Sequence, residues 1–191
     1  MSKMLLNKQI KIVEEFLRGS NAQLTGSVIA KKKGLNQKTV ANYLDTLEKE
    51  EILKSSTQGK NRLYSLNAEN REIVKSFILA VEHLRTLEFY KKNIVIKEIA
   101  EKMQPLIKGV AVIFGSYAKG IQKDDSDLDV FVVGKADEDA IDKVSKMYKV
   151  EISLKIYPKF KKDILTKEVI KDHIILKDVE QFVEGVFDGQ D

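Results

Sequence analysis

The stretch Val110 to Val133, VAVIFGSYAKGIQKDDSDLDVFVV, decides how this chain is read. Val110 to Phe114 is an apolar run rich in β-branched residues, which reads as a strand. It stops at Gly115-Ser116, where a residue without a side chain precedes a good helix cap, so the strand feeds a helix N-terminus. Tyr117 to Ser126 then lead to Asp127-Leu128-Asp129-Val130-Phe131-Val132-Val133, where two carboxylates flank Leu128 before the run turns wholly apolar. On a strand the alternation puts Asp127 and Asp129 on one face, about 6.5 Å apart along the chain.

Two carboxylates on one face of a half-buried strand repel each other and need a compensating cation to stay charged. A divalent metal answers that need, and magnesium favours hard oxygen ligands while leaving positions for water or phosphate oxygens. Gly115-Ser116 suits the phosphate. Gly115 allows close approach to the backbone, and the Ser116 hydroxyl and the following amides can donate to phosphate oxygens. Asp-x-Asp and Gly-Ser are each common in surface loops; their combination between two strands carries the reading.

Gly115-Ser116, the spacer, and Asp127-Leu128-Asp129 between apolar strands resemble the signature of the DNA polymerase beta superfamily of nucleotidyltransferases, and within it the minimal, antitoxin-like nucleotidyltransferases. The resemblance implies a mixed sheet with helices on one side and two metal ions, Mg²⁺ or Mn²⁺. It also implies attack of an acceptor hydroxyl on the α-phosphate of a nucleoside triphosphate, with ATP as the expected nucleotide and pyrophosphate as the leaving group. It calls for a third carboxylate on a neighbouring strand. Val150 to Tyr157 is a second alternating strand whose polar face carries Glu151, Ser153 and Lys155, so Glu151 is the candidate. Asp127, Asp129 and Glu151 are then the expected catalytic and metal-binding set, with Gly115, Ser116, Lys119 and Lys155 at the nucleotide. An acceptor protein such as a toxin partner fits the antitoxin-like relatives.

Composition bounds the rest. With 43% apolar and 32% charged residues the 191-residue chain reads as a globular protein of one large or two small domains. No Cys means neither a disulfide framework nor a thiolate metal site, and the start lacks a signal-peptide pattern or a membrane-spanning run, so a cytoplasmic location and no membrane partner are expected. His83 and His173 stand at no metal-ligand spacing and read as structural or surface residues. Positive charge is concentrated at the N-terminus: residues 1–70 hold 12 Lys+Arg against 7 Asp+Glu. That imbalance points to a polyanion-binding module.

Helical spacing predicts a helix over Asn7 to Leu17 stopped by Gly19-Ser20-Asn21, a second over Leu24 to Gly34, and a third capped by Asn36 with Val40, Leu44 and Leu47 buried. Ile52 to Ser56 and Leu63 to Leu66 flank the turn-rich Thr57 to Arg62 as a basic hairpin. This order resembles a winged helix-turn-helix. The resemblance implies DNA binding through Gln37, Lys38, Thr39 and Asn42 of the third helix and Lys60 and Arg62 of the wing. Glu72 to Tyr90 reads as a long helix with a broad apolar face, suited to docking or to a homodimer. Helices are further expected over Ile94 to Leu106, Glu138 to Tyr148, Lys161 to Lys171 and Asp178 to Phe187.

The expected fold class is therefore α+β: a winged helix-turn-helix over 1–70, connecting helices over 71–108 and a nucleotidyltransferase domain over 109–191. The expected function is metal-dependent nucleotidyl transfer coupled to DNA binding. The alternative is a DNA-binding transcriptional regulator whose second domain only senses a nucleotide.

Overall fold

The computed structural model describes residues 3–17, 22–161 and 163–188. The chain divides into two compact units, Met1–Val81 and Glu82–Asp191.

In the first unit, α1 (Lys3–Leu17) buries Ile10, Ile12, Val13 and Phe16. Its expected stop at Gly19-Ser20-Asn21 lies outside the described residues. α2 (Gly26–Lys33) starts where the Thr25 side chain accepts from the Val28 amide and ends at Gly34, whose left-handed φ of 62° suits glycine. Leu24 lies outside this helix, contrary to the sequence reading: its amide and carbonyl pair with those of Tyr64, 2.9 Å each way. The hairpin claims it. α3 (Gln37–Lys49) begins with the Asn36 side chain accepting from the amides of Lys38 and Thr39, and it buries Val40, Leu44 and Leu47. β1 (Leu53–Gln58) and β2 (Asn61–Leu66) pair antiparallel with only Gly59-Lys60 between them. The strands run further than expected because their polar ends carry no apolar signal.

α4 (Arg71–Lys92) and α5 (Ile94–Met103) follow. The second unit is built on one sheet of β3 (Ile107–Ile113), β4 (Leu128–Ala136), β5 (Ile152–Tyr157) and β6 (Ile174–Lys177), in the order β5-β4-β3-β6. β3 is antiparallel to β4 and β6, whereas β4 and β5 are parallel. A parallel pair needs a crossover, supplied by α7 (Glu138–Tyr148), whose bounds are those the periodicity predicts. This mixed α+β sheet is consistent with a nucleotidyltransferase fold.

Two features differ from expectation. β6 stands between α8 (Ile164–Lys171) and α9 (Val179–Asp188), where the sequence reading expects only helices; its four residues are too few to show a period. Helices also cover both sheet faces. Ala111, Ile113, Leu128, Val130 and Val132 pack with α5 and α7, whereas Val110, Val112 and Phe131 pack with Val169 of α8 and Phe182 of α9. Wholly apolar strands demand cover on two sides.

Candidate active site

The second face, the one bearing Phe131, also carries Asp129 by strand alternation. Phe114 follows β3 directly, and its amide donates to the Asp129 carbonyl at 3.0 Å, so the end of one strand is tied to the start of the other. The chain then turns into a short helix, α6 (Gly115–Lys119), closed by Gly120. Gly115 has φ 69°, and a Cβ placed there would lie 2.3 Å from Asp129 Oδ2. No side chain fits. The turn is thus packed directly against the carboxylate, and only glycine meets both the backbone and the space requirement.

Asp127 is set by the turn before it, where the Lys123 amide donates to Ser126 Oγ at 2.8 Å and the Ser126 amide to the Lys123 carbonyl at 3.1 Å. Burial, and then the charge of Asp127, hold the Asp129 carboxyl above the usual carboxylate range; Glu168 adds to the rise while Lys155 and Lys119 oppose it. Two carboxylates and two ammonium groups therefore share one electrostatic site with Glu168.

The Asp129 pairing partner on β5 is Ser153, and Lys155 pairs with Phe131, so the polar side of β5 shares the carboxylate face. Glu151 lies just before β5. Its carbonyl accepts from the Leu128 amide at 2.7 Å, and its side chain is exposed. Among the described residues no three His, Cys, Asp or Glu side chains converge closely enough to hold a metal ion, and the charge of Asp127 bears directly on Asp129. Lys119 is engaged elsewhere: its Nζ lies 3.0 Å from Glu168 Oε1 on α8.

The pair fits a hard divalent cation on two grounds. All its donors are carboxylate oxygens, and their mutual repulsion already lifts Asp129. Beside them Ser116 Oγ is buried with no hydrogen-bond partner, an unmet donor and acceptor suited to a phosphate or a bound water. Gly115→Ala is accordingly expected to cost roughly 1–3 kcal/mol from the left-handed backbone and to displace the Asp129 carboxylate. Urea melts would show the first effect, and a smaller Mg²⁺-induced stabilisation the second; unchanged values in both would contradict this packing.

Glu168 is the residue that sequence reasoning missed. It belongs to a helix 39 positions after Asp129 in a charged segment with no motif, so only tertiary packing reveals it.

In the first unit, Gln37 and Lys38 are exposed in the first turn of α3, Asn42 is exposed one turn on, and Thr39 is half-buried. Lys60 is exposed at the hairpin turn. Arg62 folds back instead: Nη1 donates to Asp45 at 3.0 Å, Nη2 to Glu48, Nε to Ser55 Oγ at 3.0 Å, and the guanidinium stacks on Tyr64. Its charge is neutralised by α3. Lys32 and Lys33 are likewise paired with Glu15.

Residues 94–183 match the family model described as nucleotidyltransferase domain, a span that contains Gly115, Ser116, Asp127, Asp129, Glu151 and Glu168. No curated protein and no solved structure matches the chain. The match supports the nucleotidyltransferase superfamily for this part of the chain and hence a transferase enzyme. Among the described residues no helix is long and apolar enough to cross a membrane.

Proposed function

We propose that the second unit transfers a nucleoside monophosphate from a nucleoside triphosphate, ATP in the first instance, to an acceptor hydroxyl. The packing of Gly115 against Asp129, so close that a Cβ on residue 115 would fall 2.3 Å from Oδ2, carries this reading. It sets backbone and hydroxyl donors directly beside a carboxylate pair. Gly115 and Ser116 bind and orient phosphate oxygens, and Lys119 and Lys155 offset their charge. Asp127 and Asp129 would hold Mg²⁺ or Mn²⁺, which when bound supplies Lewis-acid polarisation of the phosphoryl group and lowers the pKa of the acceptor hydroxyl. In the reaction the acceptor oxygen bonds to the α-phosphorus, the bond from that phosphorus to the α,β-bridging oxygen breaks, pyrophosphate leaves with the electron pair, and the hydroxyl proton passes to solvent. A protein acceptor, which the antitoxin-like resemblance implies, is the first class to test. Label from α-phosphate-labelled ATP, but not from γ-labelled ATP, should appear on a macromolecule in a lysate incubated with the protein and Mg²⁺. Transfer of the γ-label instead would contradict nucleotidyl transfer.

The first unit supports DNA binding. Three helices and a hairpin in this order suit a winged helix-turn-helix, with Gln37, Lys38 and Asn42 toward the duplex and Lys60 at a phosphate. Arg62 serves α3 rather than DNA. Lys60→Ala should lower the slope of log affinity against log salt by about 1 on a random-sequence duplex, and Arg62→Ala should leave the slope unchanged. A slope unaltered in Lys60→Ala would remove the wing from the interface. The exposure of the Glu151 side chain favours the second reading, a regulator that binds nucleotide without transferring it. Nucleotide binding with no label transferred would establish that alternative.

A further inference from the structure

We propose that Glu168 is a positioning residue for the nucleotide: its carboxylate occupies on Lys119 the place that a substrate phosphate takes, so Glu168 sets nucleotide affinity through Lys119. This rests on the nucleotidyl-transfer reading of the same site.

The geometry is specific. Lys119 closes α6, three residues after Ser116, and its Nζ reaches Glu168 Oε1 at 3.0 Å across 49 residues of sequence. Both side chains are partly exposed, 35% for Lys119 and 51% for Glu168. An ion pair so open to water is weak, worth a factor of about two to five in an equilibrium. A triphosphate carries several charges and more acceptor oxygens than one carboxylate, so it displaces Glu168 from Lys119 at small cost.

Nor is the pair needed to dock α8. That helix is capped by Asp163, whose Oδ1 accepts from the Thr166 amide at 2.8 Å, and it is anchored by buried Val169. Its end is held by His173 Nδ1, which donates to the carbonyls of Val169 and Ile170 at 3.1 and 3.0 Å. Glu168 reaches Lys119 and adds its charge to a site that already holds Asp127 and Asp129. There its carboxylate competes with phosphate for the Lys119 ammonium.

Dissociation constants for ATP, GTP, CTP and UTP with Mg²⁺, measured by calorimetry, test the assignment in four proteins: wild type, Glu168→Gln, Lys119→Met and the double variant. Glu168→Gln should bind the preferred nucleotide about two- to fivefold more tightly. Lys119→Met should bind it more weakly, and in that background the second change should have no effect. In the labelling assay the Glu168→Gln effect should fall in KM and not in kcat. Unchanged or weaker binding by Glu168→Gln overturns the proposal, and so does a gain that persists without Lys119, since Glu168 then acts by its field alone. A wild type that binds none of the four nucleotides overturns the underlying reading instead.

Discussion

Replacing Asp129 with Asn should abolish nucleotidyl transfer and, in the metal-free protein, raise the melting temperature. Both outcomes come from one carboxylate. Burial and the neighbouring charges of Asp127 and Glu168 hold its pKa above the usual 3.8, so in the fold the ionised form is disfavoured. A raised carboxyl destabilises the folded state at any pH where the group is ionised, and that cost vanishes as pH falls below 3.8. Asn keeps the shape and removes the charge. The stabilisation of Asp129→Asn over wild type should therefore be full at neutral pH and disappear in acid. Function is the counterweight: without the Asp129 carboxylate the pair would no longer hold the cation, and the Lewis-acid polarisation that it would supply is lost. Mg²⁺ should raise the melting temperature of the wild type and leave that of the variant unchanged. A variant that is less stable than wild type without metal, or that still responds to Mg²⁺, would remove Asp129 from the cation site.

The largest effect on stability is expected from Arg85→Met. Glu82 and His173 are both almost wholly buried, 2% and 3% exposed, and Arg85 Nη1 reaches both Glu82 oxygens at 2.8 and 2.7 Å. Arg85 Nη2 also donates to the His173 carbonyl at 2.9 Å. Burial alone would raise the Glu82 carboxyl, but the charges and hydrogen bonds of His173 and Arg85 outweigh it and hold the group at about 2. Removing the guanidinium leaves a buried carboxylate short of a partner, a loss of roughly 3–5 kcal/mol. Glu82→Gln/Arg85→Met should cost less than Arg85→Met, because no unpaired charge then remains. Urea melts of the three proteins decide this. Glu82 also sets an acid limit: its folded pKa is depressed, so its contribution is complete above pH 4.5 and is lost as pH falls toward about 2. The network matters for the site because His173 holds the end of α8, the helix that presents Glu168.

The parts of this molecule legible in its sequence are those whose signals are local. The β-branched run before Gly115 lies on β3, the Asp-x-Asp run enters β4 after Asp127, and helical spacing places α7 at its observed bounds. Asn36 announces α3 because a cap acts within three residues. What escapes a sequence reading depends on partners distant along the chain. β6 exists because β3 offers it an edge, and Leu24 leaves its helical context because Tyr64 pairs with it. Arg62 reads as a free wing cation until Asp45 and Glu48 come within reach, and Glu168 stands near Asp129 only through the packing of α8. His173, read as structural or surface, is buried in the Glu82 and Arg85 network.

The most direct measurement is incubation of the wild type and of Asp127→Ala/Asp129→Ala with each α-phosphate-labelled nucleoside triphosphate, Mg²⁺ or Mn²⁺, and lysate of the source organism. Nucleotidyl transfer predicts label on a discrete protein or RNA band with the wild type only. Label of equal strength with the double variant would contradict it.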